Sequence, residues 1–393
     1  MATTQRAVNR AIPLGLYVHL PWCVRKCPYC DFNSHAPRAT PPFEAYVDAL
    51  LADLDADLRD AGEALHARRI ETIFFGGGTP SLFPDAAIAR LLDGLAARVD
   101  IDSDAEITLE ANPGTVEHGR FAAYRAAGIN RLSLGAQSFA DAQLEALGRI
   151  HRHGEIHIAV AEARAAGFDN INLDLMYALP GQDLPAALAD LDAALRLAPE
   201  HISHYQLTLE PGTPFARTPP PRLPDADAAW AIQEACQARL ASAGYAQYEV
   251  SAHARPGHQA RHNLLYWTFG DYLGLGAGAH AKLSFADGRI ERRAKRKNPG
   301  LYMAHAATAA RLESSAAITR AELPFEFMLN VLRLNEGVAA DSFSARTGLT
   351  LETIAAPLQR ARADGLLVDD ARALRATPLG LRFLNDLLQR FLP

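Results

Sequence analysis

Short β-rich runs alternate with longer amphipathic stretches along the first half of this chain. The short runs predict strands at Leu16–Leu20, Thr72–Phe75, Glu106–Glu110, Arg131–Gly135, Asn170–Leu175 and His201–Thr208. Helical periodicity marks the stretches Phe43–His66, Asp85–Arg98, Val116–Ala127, Glu155–Ala166, Leu184–Leu197 and Asp225–Ala243. Such alternation is typical of parallel βαβ units. Six units predict an α/β fold with a partial (β/α)6 TIM-like barrel rather than a closed eightfold barrel.

Unusual residues follow the predicted strands, and barrel enzymes place their chemistry at the carboxyl ends of strands. A cysteine loop follows the first strand, and the glycine run Gly76–Thr79 follows the second. Polar residues close or follow the next three strands, at Glu110, Gln137 and Asp174. Because the carboxyl ends of parallel strands meet at one rim, these side chains are predicted to lie close together.

The second half of the chain is divided by segments rich in proline and glycine. Prolines interrupt the pattern between positions 210 and 224, and the glycine-rich Gly270–His280 is turn-forming. A further strand is predicted at Tyr245–Ser251. Beyond Pro299 the pattern becomes helical, and its end predicts a winged-helix-like, α+β domain from Leu351–Ala363, Gly365–Val368 and Ala373–Thr377. We therefore divide the chain into a core barrel at 1–215, an accessory region at 216–298 and a C-terminal domain at 299–393.

The composition excludes several classes of protein. The chain has 393 residues, 49% of them apolar, and is predicted to bury a substantial core. A formal net charge of −6 argues against nucleic-acid binding, and the arginines of the C-terminal domain are matched by acidic residues. The segment Met1–Arg10 lacks the apolar run of a signal peptide, and no stretch reaches the roughly 18 apolar residues of a membrane span. These features predict a cytoplasmic protein with reduced thiols.

Three of the four cysteines, Cys23, Cys27 and Cys30, lie close together in a CxxxCxxC spacing. Three thiolates suit three irons of a [4Fe-4S] cluster and leave the fourth iron open to a small molecule. A zinc site with His35 as a fourth ligand is the alternative that the spacing leaves open. A disulfide is disfavoured because nothing marks the chain as secreted. Cys236 lies in a helical pattern and is predicted to be a core residue.

The segment Tyr17–Cys23, which leads into CxxxCxYC, resembles the start of the radical S-adenosylmethionine (SAM) superfamily. More narrowly, it resembles the group that contains oxygen-independent coproporphyrinogen III oxidase and the HemW-type heme chaperones. The resemblance implies that the methionine part of SAM occupies the open iron. It also implies that an electron from the cluster splits SAM to a 5′-deoxyadenosyl radical, so an electron donor is an expected partner.

Further positions match the superfamily pattern of SAM contacts one by one. The glycine run matches the motif that meets the amino-acid end of SAM, which implies contacts at Gly77, Gly78 and Thr79. Matching gaps imply further SAM contacts at Tyr17, Tyr29, Glu110, Gln137, Arg149 and Asp174. Chemically, a carboxylate such as Asp174 suits ribose hydroxyls, and the Arg149 guanidinium suits the methionine carboxylate. For each residue taken singly, a structural hydrogen bond at the rim is the alternative.

A second motif, HNxxYW at His262–Trp267, matches the HemW-type chaperones. The resemblance implies that His262 binds heme, and a neutral imidazole is a good axial ligand for heme iron. A hydrogen-bonded structural histidine is the alternative, and His280 is a second candidate ligand. The basic run Arg289–Lys297 could contact heme propionates or an acidic membrane surface, whereas a solvated loop is its simpler interpretation.

Two departures separate this chain from the oxidase. Phe32 stands where the oxidase carries a further cysteine, and few residues precede Tyr17 where the oxidase has a longer extension. The resemblance therefore implies a chaperone that binds heme, a [4Fe-4S] cluster and SAM, and passes heme to apo-heme proteins such as respiratory cytochromes. Coproporphyrinogen III dehydrogenation is the alternative, and a radical SAM reaction on an unrelated substrate is a third. Peripheral membrane contact and a homodimer stay open.

Overall fold

The computed structural model describes residues 12–62, 65, 68–114 and 119–393. Its centre is a sheet of twelve strands, in which the first six are parallel and lie side by side in sequence order. These six are β1 (Leu14–Leu20), β2 (Arg69–Gly77), β3 (Asp100–Ala111), β4 (Arg131–Gln137), β5 (Ile171–Tyr177) and β6 (His201–Gln206). The predicted partial (β/α)6 barrel is therefore confirmed.

Helices connect the parallel strands and pack on the sheet. They are α1 (Phe43–Ala61), α2 (Asp85–Ala96), α3 (Phe121–Ala126), α4 (Asp141–Ala146), α5 (His153–Ala165) and α6 (Leu184–Arg196). In α1 the buried Tyr46, Val47, Leu50 and Leu54 recur every three to four residues, so one helix face enters the core. Strand β4 is buried at every position, as expected for a parallel strand covered on both faces. The helices predicted up to His66 and from Val116 include residues outside the described part of the chain.

Six more strands extend the sheet beyond both edges of the barrel. Strand β9 (Asp271–Leu275) pairs in parallel with β1, and three antiparallel strands follow it in the sheet, β10 (His280–Ser284), β11 (Ile290–Lys295) and β12 (Leu312–Ala317). At the other edge, β8 (Ala252–Ala254) pairs with β6 and with β7 (Ala246–Gln247). The strand predicted at Tyr245–Ser251 contains only the two residues of β7, since β8 begins one residue beyond it, and Gly270–His280 contains β9 before its turn. The helices of this region are α7 (Pro214–Arg217), α8 (Ala226–Ser242), α9 (Arg261–Trp267) and α10 (Pro299–His305).

The basic run Arg289–Lys297 forms β11, so its interpretation as a solvated loop is wrong. Lys295 is buried and forms ion pairs with Asp53 and Asp57 of α1. Strand β11 lies between β10 and β12, so the Lys295 side chain faces the interior of the protein. A buried cation needs a negatively charged partner, and the two carboxylates of α1 supply it. The side chain of Asp53 also accepts a hydrogen bond from the backbone N–H of Gly276 (3.4 Å), so this charge cluster holds the turn between β9 and β10.

The last part of the chain packs around a second core, which includes Phe327, Val331, Phe343, Leu358 and Leu387 and is joined by Phe269 and Ile290 of the preceding region. Its elements are α11 (Leu323–Val331), β13 (Val338–Ala339), α12 (Asp341–Thr347), α13 (Ala355–Ala363), β14 (Ala373–Leu374), α14 (Pro378–Arg382) and α15 (Leu384–Gln389). Strands β13 and β14 form an antiparallel pair, which agrees with the predicted α+β domain. The division at 215 and 298 stays a prediction. Since β12 belongs to the large sheet, we propose that the third unit begins near Ile318.

Two predictions concern membranes and targeting. The segment Met1–Arg10, which lacks a signal-peptide pattern, lies outside the described residues. Across the described residues, the structure contains no helix with the length and apolar character to span a bilayer.

Candidate cofactor site at the rim of the sheet

The carboxyl ends of β1 to β5 meet at one rim and surround a cavity. Its lining includes all three clustered cysteines and eight of the nine positions predicted to contact SAM, namely Tyr29, Gly77, Gly78, Thr79, Glu110, Gln137, Arg149 and Asp174. The ninth position, Tyr17, lines a neighbouring cavity that shares Gly77 and Glu110 with the first. The fold therefore brings together predicted residues as distant in the chain as Cys23 and Asp174, which are 151 positions apart.

The cysteine loop is held in place by backbone pairing and by one large anchor. The N–H of Cys23 donates to the carbonyl of His35 (2.9 Å), and the N–H of His35 donates to the carbonyl of Pro21 (2.7 Å). These bonds join the two ends of the loop. The buried Trp22 packs its ring on Tyr46 and Phe83, with ring centroids 4.8 and 5.4 Å away. The fold thus presents the three thiols from a closed loop rather than from a free segment.

The surroundings of the thiols fit a multi-iron group better than a single ion. The Arg149 guanidinium lies 3.7 Å from the Cys27 sulfur, and the Ser34 hydroxyl lies 3.7 Å from the Cys30 sulfur. Burial raises the pKa of the Cys23 and Cys30 thiols, so thiolates here need a bound cation. Among the described residues, no three His, Cys, Asp or Glu side chains are arranged to hold one metal ion. A cluster takes one thiolate on each of three separate irons, which suits thiols that line a cavity without converging on one point.

The zinc alternative needed His35, and the structure does not bring its ring to the thiol cavity. The Nε2 atom of His35 lies 3.2 Å from the side-chain oxygen of Asn33, and His35 is absent from the cavity lining. Cys236 is fully buried in α8 among core residues, as its helical pattern predicted.

The glycine run provides close backbone packing rather than free amide groups. Gly77 has φ of 114°, and a Cβ atom there would lie 2.5 Å from the His19 ring. The N–H of Gly77 points to Glu110 Oε2 (3.3 Å), and those of Gly78 and Thr79 donate to the carbonyls of Leu20 and Trp22 (both 2.8 Å). These N–H groups are therefore engaged by Glu110 of β3, by the end of β1 and by the cysteine loop, and are not free for a ligand carboxylate.

Two half-buried carboxylates dominate the electrostatics of the cavity. Burial, with a contribution from the Asp174 charge, raises the pKa of Glu110 to about 8. Burial also raises the pKa of Asp174, although Asn172 and Ser133 donate hydrogen bonds to it at 2.8 and 3.1 Å. Within the described part of the chain, neither carboxylate has an ion-pair partner. The pair therefore favours a ligand that brings positive charge and hydroxyl groups.

Arg149 connects several parts of the rim through a residue that sequence reasoning missed. Its guanidinium donates to Asn112 Oδ1 (2.5 Å) and to the carbonyl of Gly135 (2.9 Å). The Asn112 amide in turn donates to the Thr79 hydroxyl (2.9 Å). Asn112 therefore links the glycine run to the arginine beside Cys27. Asn112 could have been predicted, because it directly follows β3. Polar residues at the ends of the other strands were assigned to the site on the same ground.

Tyr205, near the end of β6, is a second missed residue of this cavity. Its hydroxyl donates to Gln137 Oε1 at 2.8 Å. Gln137 ends β4 with φ of 67°, which is a costly conformation for a residue other than glycine. Such strain is often retained at binding sites. The hydrogen bond from Tyr205 holds the Gln137 side chain in place, although the backbone conformation of Gln137 is unfavourable.

The HNxxYW motif forms helix α9, and the structure does not bring His262 into the rim cavity. The His262 ring is buried and stacks on Phe74 with ring centroids 5.3 Å apart. Its Nδ1 atom lies 2.8 Å from the Thr72 hydroxyl, and its Nε2 atom lies 2.9 Å from the Tyr266 hydroxyl. Both ring nitrogens are therefore engaged. An imidazole binds iron through an accessible nitrogen, so His262 as an axial ligand stays a prediction that requires α9 to rearrange.

The chain resembles known proteins in sequence and in fold. Residues 17–194 match the family model of the radical SAM superfamily, and residues 318–383 match that of the HemN C-terminal domain. The chain is 50% identical to a protein of Escherichia coli strain K12 named heme chaperone HemW, and 48% identical to its namesake in Haemophilus influenzae. Each alignment covers 97% of this chain and 98% of the other protein. The solved coproporphyrinogen III oxidase HemN from Escherichia coli aligns with a TM-score of 0.82 at 25% identity, over 100% of this chain and 93% of that one.

The parallel sheet and its thiol-lined rim are those of a radical SAM protein. Membership of that superfamily implies a [4Fe-4S] cluster and SAM as cofactors. Within the superfamily, the chain belongs to the HemW family, since its identity to two members extends over nearly the full length of both partners.

Proposed function

We propose that this protein is a heme chaperone that binds heme, one [4Fe-4S] cluster and SAM, and passes heme to apo-proteins such as respiratory cytochromes. The observation that best supports this proposal is the 50% identity, over 97% of the chain, to a protein named heme chaperone HemW. That likeness spans the cysteine loop, the rim carboxylates and α9 alike. Phe32 supports the same proposal, because the oxidase pattern has a cysteine at this position.

The thiols of Cys23, Cys27 and Cys30 are the proposed ligands of three irons. When bound, the cluster supplies an electron to SAM at its open iron. The Arg149 guanidinium beside Cys27 offsets part of the negative charge that three thiolates bring into a buried place. These assignments are supported by the shared cavity and by the chemistry of the donors.

SAM is the proposed ligand of the remaining rim residues. It carries a sulfonium and an ammonium group, and these cations suit the half-buried carboxylates Glu110 and Asp174. Its ribose offers hydroxyls to the same carboxylates. The full set of proposed SAM contacts is Tyr17, Tyr29, Gly77, Gly78, Thr79, Glu110, Gln137, Arg149 and Asp174.

Coproporphyrinogen III dehydrogenation is the second candidate function, and the fold likeness to HemN favours it. One experiment separates the two. Anaerobically reconstituted protein is titrated with heme by absorbance, and a parallel sample with SAM and a reductant receives coproporphyrinogen III. We expect heme binding without protoporphyrinogen. Protoporphyrinogen formation without heme binding would replace the chaperone by the dehydrogenase.

Location and partners follow from the cofactors. We propose a cytoplasmic location, because reduced thiols and a [4Fe-4S] cluster require a reducing compartment. A reduced electron carrier is the proposed donor to the cluster. Delivery of heme to respiratory cytochromes would bring the protein to the membrane surface. Binding of the protein to lipid vesicles that contain these apo-cytochromes tests that step.

A further inference from the structure

A second cavity of about 640 Å³ lies beside the cofactor cavity. It is bounded by the cysteine loop, by Tyr17 of β1, by Tyr266 of α9 and by the segment from β9 to the end of β11. Its volume is in the range of about 300–1,000 Å³ typical of sites for small molecules. The two cavities share Lys26, Phe32, Gly77 and Glu110 in their linings. A molecule held in the second cavity would therefore lie next to the ligand of the first.

The lining suits a flat apolar molecule. Tyr266 and Tyr272 meet edge to face with centroids 4.5 Å apart, and Tyr17 adds a third ring. Phe32, on the cysteine loop, exposes 60% of its surface. Aromatic rings in such an arrangement offer faces and edges to a planar ring system.

Cations at the same cavity suit acidic substituents on that molecule. Lys26 and Lys297 both line it, and within the described residues neither has an ion-pair partner. Asp31 and Glu110 are the carboxylates of the lining, so the cations and carboxylates are balanced rather than uniformly positive. A planar apolar ring with a small number of carboxylates is the chemical description of heme and its two propionates.

Among the described residues, two histidines line this cavity, and of these only His280 is available as a ligand. His19 is buried, and its ring nitrogens lie 3.0 Å from the Tyr17 hydroxyl and 2.9 Å from the carbonyl of Asn33. His280 begins β10, is exposed, and has no hydrogen-bond partner for its ring within the described part of the chain. Partial burial, with the Arg292 and Lys297 charges, lowers the pKa of His280, which favours its neutral imidazole. A neutral imidazole is the form that binds iron.

We propose that heme, whose binding rests on the proposed function, occupies this second cavity with His280 as axial ligand and with Lys26 and Lys297 paired to its propionates. His262 then acts as a positioning residue. Its Nε2 atom engages the hydroxyl of Tyr266, whose ring lines the cavity. The HNxxYW motif thus supports heme binding through Tyr266 without supplying the iron ligand.

The test compares four proteins after anaerobic reconstitution of the cluster: wild type, His280→Ala, His262→Ala and His157→Ala. His157 is exposed on α5, away from the cavity, and serves as the matched control. Heme is titrated by absorbance, and its axial ligands are read by electron paramagnetic resonance. We expect His280→Ala to lose the imidazole signature and to regain it when free imidazole is added. His262→Ala should retain that signature with an affinity roughly tenfold lower, because Tyr266 loses the hydrogen bond that holds its ring at the cavity.

The outcomes separate the inference from the proposed function. If wild type binds no heme, both are overturned. If wild type binds heme and the imidazole signature disappears in His262→Ala but survives in His280→Ala, the chaperone stands and this site is wrong. His280→Gln, which keeps a polar side chain of similar size, repeats the test should His280→Ala lose its cluster. Lys297→Gln should weaken heme binding severalfold in low salt and less in high salt, because an exposed charge pair is screened.

Discussion

The rim cavity and helix α9 carry the two most distinctive motifs of the chain, yet the fold treats them in opposite ways. At the rim, Glu110 and Asp174 are half-buried without an ion-pair partner in the described residues, and the thiols line a cavity. In α9, both ring nitrogens of His262 have partners and its ring is stacked. A motif thus identifies a family, whereas carboxylates that lack a countercharge around a cavity indicate where a ligand binds.

The sharpest test of this contrast is the removal of a rim thiol. Cys27→Ala should abolish the [4Fe-4S] cluster, because no other described cysteine can reach the iron that Cys27 would bind. Cys236→Ala should retain it, since Cys236 is in the core of α8. Iron and sulfide analysis with electron paramagnetic resonance of the reduced protein measures both. A full cluster in Cys27→Ala, or zinc in anaerobically prepared wild type, would contradict the rim assignment.

The next largest effect concerns the half-buried Glu110 at the rim. The folded pKa of Glu110, about 8, is above its value in the unfolded chain, so folded protein retains a proton that unfolded protein loses. The stability of the unliganded protein should therefore fall as pH rises from 4.5 towards 8 and then level off. Glu110→Gln should remove this pH dependence and raise the free energy of unfolding by on the order of a few kcal/mol at pH 8.

Denaturant unfolding of the unliganded protein at several pH values measures that trend, with the exposed Glu313→Gln as control. Glu110→Gln should also weaken SAM binding about tenfold or more, because a charged partner of the ligand is lost. If the stability of wild type and of Glu110→Gln changed with pH in the same way, Glu110 would not be the group that causes the trend. Stability and affinity thus change in opposite directions at the rim, which is the signature of a binding site.

Helix α9 should behave in the reverse way. His262→Ala should destabilise the protein by about 3 kcal/mol, since it removes buried ring packing and leaves the Thr72 and Tyr266 hydroxyls without their partner. Cluster content should be unchanged. His157→Ala, on an exposed helix face, should change the free energy of unfolding by less than about 0.5 kcal/mol. A stability of His262→Ala equal to that of wild type would mean that α9 is already open in solution.

The smallest effect tests how the two regions communicate. The Asn33 amide donates to the carbonyls of Ala277 and Lys297, both at 2.8 Å, and so ties the cysteine loop to the β9–β10 turn and to the end of β11. Asn33→Ala should cost about 1–2 kcal/mol and accelerate loss of the cluster in air. Asp31→Asn, an exposed change in the same loop, is the control. Equal rates of cluster loss in both variants would show that these bonds do not hold the loop.

Several features were predictable because they repeat locally. The six parallel strands have short apolar runs, and the order of the units follows from the right-handed connection of neighbouring strands. The rim residues were predictable because each stands at the end of such a run. Strand β11 was missed because its alternating cations look solvated, and only their pairing with α1 carboxylates reveals burial. Tyr205 was missed because nothing in its neighbourhood along the chain marks it.

By itself, the sequence determined the class of fold, the spacing of the thiols and the polar positions that close the strands, since these depend on neighbours within a few residues. The tertiary structure decided which polar groups remain available. His262 meets Thr72 across 190 positions, and Asn33 meets Ala277 across 244. Whether a buried side chain is paired or left for a ligand depends on such distant contacts, because desolvation and hydrogen bonding act through space rather than along the chain.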